Sequence, residues 1–385
     1  MESAQVTYFG KRTWHFLPEK SNGSLEDVVI APHFPTLTAA SYSRRMRRIL
    51  RKVMNFALSR EGGATHMTHT AGQWLFEGYY DHLLDFVEQL HSPLLPVNDN
   101  TFGWFYERNN SKTAEGNFTV HTGRGDLSQL GDLLLWNGEN TTGFYPGECG
   151  KVNGSTGELW SPYRTWDQPT TIFLPDAARY LNLFPKENLT IDGIDVWRYE
   201  STNLTLDNGQ LSPDTECFCL KNRECPRNGV LDYGPPAFNG PFYMSHPHFF
   251  LTDQMYRENT TGLQPEESEH GMYVIMEPTL GIPLSLRGQL MISTKVVRDE
   301  AIDLFKNVAY DHYAPLFTMR LHAELDEGLT KLLKLALNAA IIGMYTGIGL
   351  VLLGITIVLT GIFVTKKHKW HNEQRRDKQL QCTQN

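Results

Sequence analysis

No charged residue occurs between Leu335 and Thr365, and this run of 31 positions limits the architecture more than any other part of the sequence. Its most apolar part, Ile341–Val364 (IIGMYTGIGLVLLGITIVLTGIFV), rises about 1.5 Å per residue as a helix. That is roughly 36 Å in all, enough to cross a hydrocarbon core of about 30 Å with some tilt. Thirty-one uncharged residues in a row favour a span over a buried helix of a soluble core. Lys366, Lys367, His368 and Lys369 follow as an interfacial anchor, and residues 366–385 carry a net +4, which the positive-inside rule places in the cytoplasm. The expected organisation is an ectodomain over residues 1–334, a transmembrane helix over 335–365 and a basic cytoplasmic tail over 366–385.

Two independent features agree with an outer or luminal placement of the first part. Asn-X-Ser/Thr triplets start at Asn22, Asn109, Asn117, Asn140, Asn153, Asn188, Asn203 and Asn259, all before the span. Chance would give roughly three, so these read as N-glycosylation acceptors. Cys149, Cys217, Cys219 and Cys225 also precede the span, an even number suited to an oxidising compartment, with three pairings open. Cys382 alone lies in the tail, as a reduced thiol or a palmitoylation candidate. The first thirty residues hold no basic-then-apolar signal region that could carry this ectodomain across a membrane. The expectation is therefore a natural N-terminus upstream, with Met1 not the initiator.

An apolar fraction of 41%, with 20 Phe, 16 Tyr and 8 Trp, excludes a disordered chain, and a mean hydropathy of −0.36 excludes a polytopic membrane protein. Alternating runs at residues 117–121 (NFTVH), 191–199 (IDGIDVWRY), 271–277 (GMYVIME) and 288–297 (GQLMISTKVV) predict strands, so the body is expected to be α+β and β-rich. Residues 41–59 (SYSRRMRRILRKVMNFALS) predict a helix. Met46, Ile49, Leu50, Val53, Met54 and Ala57 cover an arc of roughly 140°, Ser41 or Ser43 can cap the start, and Gly62-Gly63 can end it. A second helical stretch, 71–90, carries Leu75, Tyr79, Leu83, Phe86 and Leu90 on one side, against which the first can pack.

The first helix is the main candidate site. Arg44, Arg45, Arg47, Arg48, Arg51 and Lys52 fill its other arc, with no acid from Ser41 to Arg60, on a body that nets −12 over residues 1–365. Like charges at i, i+3 and i+4 weaken a helix, and a solvated face normally mixes both signs. Such a patch attracts anions, among them acidic phospholipid, oxidised lipid, lipoprotein surfaces and acidic protein. Nucleic acid is not expected for a glycosylated ectodomain without a further basic element. Arg124-Gly125-Asp126 reads as a Gly-rich turn more than an adhesion motif. His246-Pro247-His248 lacks the carboxylate or thiol spacing of a metal site, and no catalytic motif is present, so neither cofactor, metal nor enzyme activity is expected.

Residues 143–149 (GFYPGEC), 216–225 (ECFCLKNREC), 229–232 (GVLD), 245–249 (SHPHF), 262–269 (GLQPEESE) and 277–283 (EPTLGIP), in this order before a terminal span, resemble the class B scavenger receptor family. The resemblance covers essentially the whole chain. It implies a second span missing at the start and a β-barrel-like ectodomain core traversed by a lipid tunnel. It also implies an apical helical bundle in which residues 44–52 match the ligand-binding apex helix. It favours disulfides Cys149–Cys217 and Cys219–Cys225. Many members have a third, at positions near Ala177 and Pro236 here; neither is a cysteine, so no orphan thiol is left.

The resemblance and the basic helix together predict a plasma-membrane scavenger and lipid receptor with an extracellular ectodomain. Its partners would be fatty acids, other lipids, and lipoprotein or anionic phospholipid surfaces, with room for homo-oligomerisation. The alternative is a lysosomal or endosomal sorting receptor whose apex helix binds a soluble hydrolase. The tail argues against it, having no tyrosine and no acidic dileucine, since Leu380 lies between two glutamines.

Overall fold

The computed structural model describes residues 4–89, 100–237, 239–258 and 260–382, the last six of these by backbone alone. The chain divides into two units, Met1–Glu324 and Leu325–Asn385. In the first, the strands in chain order are β1 (Gln5–Phe9), β2 (Val28–Pro32), β3 (His66–Thr70), β4 (Tyr79–Tyr80), β5 (Thr101–Phe102), β6 (Asn117–His121), β7 (Leu133–Trp136) and β8 (Thr170–Leu174). They continue with β9 (Arg179–Ile191), β10 (Ile194–Glu200), β11 (Val230–Asp232), β12 (Phe242–Ser245), β13 (Tyr273–Glu277), β14 (Ile282–Val296) and β15 (His312–Glu324).

Eight of these form one antiparallel sheet organised by β14. From Ser285 to its end β14 pairs with β15, from Ser285↔Glu324 to Val296↔His312. On its other side the first half takes β13 and the second half takes β12, so the sheet forks into β13-β10-β9-β8 and β12-β11. Residues at alternate positions fill one core: Leu181 and Leu183 of β9, Tyr199 of β10, Leu231, Met244, Val274 and Met276, with Leu290 and Ile292 of β14. Of these strands, the alternating sequence runs mark β10, β13 and β14 and do not single out β9, β11 or β12. Sequence reasoning takes residues 191–199 as one strand, whereas Asp192 and Gly193, with φ of 51° and 77°, make the two-residue turn of a β9-β10 hairpin.

The barrel-like closure expected from the resemblance does not form among the described residues. The fork leaves β8 and β11 as separate sheet ends, and the sheet stays open. One small cavity in this core, lined in part by Trp104, Phe105, Met244, Ile292, Phe317 and Met319, measures about 20 Å³, room for roughly one water.

Helices α1 (Phe34–Ser43), α2 (Arg48–Arg60) and α3 (His82–Gln89) replace the two longer ones that hydrophobic spacing predicts. Residues 41–59 are not one helix: α1 ends at Ser43, whose Oγ donates to the Ala40 carbonyl (2.8 Å), and Arg47 is extended at the start of α2. A continuous helix would align Arg44, Arg47, Arg48 and Arg51 on one side, which the break avoids. The expected C-terminal stop is present. Gly62 has φ of 79°, and the Gly63 N–H closes on the Leu58 carbonyl at 2.8 Å. Residues 71–90 break at Gly78 (φ 75°), where a Cβ would lie 2.5 Å from Thr101. Leu90 lies outside the described residues.

The second unit contains one helix, α4 (Glu327–Cys382, numbering helices of eight residues or more). It is long enough to cross a membrane, with an 18-residue stretch of mean hydropathy 2.5. The hydroxyls of Thr346, Thr356, Thr360 and Thr365 donate to carbonyls one turn back at 2.8–2.9 Å, which satisfies them without water.

A buried pair ties α1 to α3. Asp81 caps α3 through Oδ1, which accepts from the Leu83 and Leu84 N–H groups (2.9 and 3.0 Å). Its Oδ2 meets His33 Nε2 at 2.5 Å, just before α1, and the other ring nitrogen of His33 reaches Thr36 (2.7 Å). Burial alone would raise the Asp81 carboxyl, but His33 and the Leu84 and Leu83 N–H groups outweigh it and hold it below the ordinary range. The resulting stability is fully present above the unfolded carboxylate value near pH 4 and is lost as pH falls through the lower folded value. Asp81→Asn is expected to cost about 3 kcal/mol at neutral pH and to flatten the acid limb of the stability curve, measured by thermal unfolding of the full chain between neutral and acid pH.

Candidate functional site

Two polar contacts set the orientation of α2. Arg51 is ion-paired with Asp299, whose carboxylate is 2% exposed. Asn55 Nδ2 donates to Asp303 Oδ2 (2.9 Å), and Asn55 Oδ1 accepts from the Asp303 N–H (2.8 Å). Beside them Leu58 is wholly buried with Leu37, Ala40, Leu83, Ile302 and Phe305, and Met54 packs alongside. Residues 51, 54, 55 and 58 stand at i, i+3, i+4 and i+7, so this stripe faces the body.

That stripe is not the arc predicted from Met46 to Ala57. The helix is turned by roughly a third of a turn from the expected orientation, which leaves Ile49 77%, Val53 60%, Phe56 63% and Leu50 52% exposed. The sequence held a signal of this: Phe56 and Leu58 are about 200° apart around a helix, so both cannot be buried against one surface.

The six candidate cations are separated by the same rotation. Arg51 is an inward structural cation. Arg44, in the turn before α2, is half-buried. Burial pulls its guanidinium below the ordinary range, and the negative field of Asp299, with that of Asp311 and Glu224 behind it, partly offsets this. Arg44 and Arg51 line an open cleft of about 440 Å³ with Arg298, Asp299 and Glu300. Arg298, which sequence reasoning did not single out, pairs with Glu300 (2.7 Å). Arg45, Arg47, Arg48 and Lys52 are exposed, and no carboxylate lies within ion-pair distance of them among the described residues. The first turn of α2 has neither an acid nor a side-chain cap, so the positive end of its dipole adds to their field.

The other candidates have simpler surroundings. Cys149 is bonded to Cys217 and Cys219 to Cys225, with Cα separations of 5.7 and 5.1 Å. Asn22, Asn109, Asn140, Asn153, Asn188 and Asn203 are exposed and Asn117 is half-buried on β6; Asn259 and the Cys382 side chain lie outside the described residues. Asp126 of the Arg-Gly-Asp turn is occupied locally. Its Oδ1 accepts from the Ser128 N–H and Oγ, and its Oδ2 from Gln129. His246 is wholly buried and pushed down to about 3 by burial, while His248 stacks on His270 at 4.3 Å. Among the described residues no group of three metal-ligating side chains comes together.

Arg51→Ala should destabilise the protein by about 3–5 kcal/mol, because Asp299 would be left buried and unpaired. Arg48→Ala should stay within about 0.5 kcal/mol of the parent. Thermal unfolding of the two variants checks the difference.

Residues 1–365 match the model of the CD36 family. Among curated proteins, the chain is 31% identical over 312 residues to protein peste of Drosophila melanogaster, covering 80% of this chain and 54% of the relative. Scavenger receptor class B member 1 of Sus scrofa is 31% identical over 289 residues (75% and 55%). Lysosome membrane protein 2 of Homo sapiens is 26% identical over 271 residues (70% and 54%). The chain thus spans about half the length of the curated relatives it matches.

Proposed function

The chain belongs to the CD36 family, and from that premise we propose that it is a membrane scavenger receptor that docks anionic lipid-bearing particles on α2. The observation that carries this is the set of four outward cations, Arg45, Arg47, Arg48 and Lys52, unpaired by any described carboxylate on a body of net −12. Attraction of this kind concentrates anionic particles at one face and is screened beyond roughly 8 Å in physiological salt. The ectodomain (1–334) lies outside the cell, 335–365 crosses the plasma membrane and 366–385 is cytoplasmic. Exposure of six sequon asparagines supports their use as glycan sites on that outer part. The ligands are lipoprotein or phospholipid surfaces, oxidised lipid and fatty acids. Passage of lipid through an ectodomain tunnel is part of the proposal on family grounds alone. No covalent step is needed, since burial of acyl chains supplies about 0.8 kcal/mol per methylene.

The charge test must spare Arg51, whose reversal would unfold α2 from Asp299. Arg45→Glu/Arg47→Glu/Arg48→Glu/Lys52→Glu in the membrane-expressed receptor is expected to lower uptake of phosphatidylserine-bearing or oxidised lipoprotein particles by about tenfold or more at equal surface expression. Undiminished uptake would remove α2 from the account.

A further inference from the structure

The outward side of α2 is apolar as well as cationic, and charge attraction alone does not require that. Ile49, Val53 and Phe56 follow each other at i, i+4 and i+7 in a ridge pointing away from the buried stripe of Met54 and Leu58. No described side chain covers the ridge. Arg48 and Lys52 run along one side of it, Arg45 and Arg47 stand at its N-terminal end, and α2 contains no acid.

The order of chemistries matches an anionic phospholipid surface in depth. Guanidinium and ammonium groups sit at the level of phosphates, and apolar side chains reach below them into acyl chains. A protein partner would have to offer an apolar groove rimmed with carboxylates. A second copy is disfavoured, because the contact would bring together two α2 faces that each carry Arg48 and Lys52 with no acid to offset them.

We propose that Ile49, Val53 and Phe56 insert into the acyl layer of an anionic phospholipid surface while Arg45, Arg47, Arg48 and Lys52 hold its phosphates. This rests on the reading of α2 as the docking face and adds its ligand's physical form: an assembled lipid surface with accessible acyl chains, not a soluble anion. Charges act at a distance and salt weakens them, whereas the ridge acts only on contact and resists salt. Binding therefore consists of a salt-sensitive approach and a salt-resistant insertion.

The test uses the full chain in nanodiscs and vesicles of phosphatidylcholine with or without phosphatidylserine. One variant is Ile49→Ser/Val53→Ser/Phe56→Ser, whose positions are exposed and leave the fold intact. Another is Val53→Cys with Cys382→Ser, carrying an environment-sensitive fluorophore. Insertion predicts that the serine variant binds phosphatidylserine vesicles about tenfold more weakly or worse. It also predicts that the label shifts to the blue and is quenched by spin labels placed within the acyl chains. Equal binding by the serine variant with an unquenched label overturns insertion and leaves docking by charge in place. Unchanged vesicle binding after reversal of the four outward cations overturns the docking reading itself. No vesicle binding by the parent chain, or loss of a dimer in the serine variant without loss of vesicle binding, also overturns the proposal.

Discussion

Asp299 is almost completely withdrawn from solvent, and the guanidinium that compensates it comes from the middle of a helix otherwise rich in apolar residues. A buried carboxylate without a partner costs several kcal/mol, more than one aliphatic side chain gains by burial. The pairing of Arg51 with Asp299, the Asn55–Asp303 contact one turn later and the burial of Leu58 with Met54 beside it together fix which side of α2 meets the body. The remaining features of this surface follow from that orientation. Arg44 is drawn into the cleft, and the other cations and the apolar ridge are left outside.

The exposed ridge has a cost. Covering a side chain such as Ile, Val or Phe is worth about 1.5–3 kcal/mol, and three of them stand in water on one short helix. The cations beside them add like-charge repulsion at a helix start whose dipole is already positive. Both penalties are relieved by one kind of environment, a negatively charged surface with an apolar interior. The proposed docking face and the residues that carry these costs are thus the same.

Much of this architecture was legible in the sequence. The period-two runs marked β6, β10, β13 and β14, because strands with one buried face must alternate. The 31-residue uncharged run marked the long C-terminal helix, because a span must satisfy its backbone internally. Gly62-Gly63 marked the end of α2. What sequence periodicity could not show was the orientation of α2, since a hydrophobic arc predicts burial only when no polar group makes a stronger demand. Asp299 makes that demand from 248 positions away. The open, forked sheet was equally hidden, because it depends on β12 and β13 sharing one edge of β14, a long-range register that no local pattern encodes.

The orientation of α2 is the central claim, and side-chain oxidation by hydroxyl radicals, read by mass spectrometry on the intact protein without lipid, measures it directly. Corrected for intrinsic reactivity, Phe56 and Ile49 should be modified readily and Leu58 should be strongly protected. Phe56 protected to the same degree as Leu58 would contradict the account, since the ridge would then already be covered.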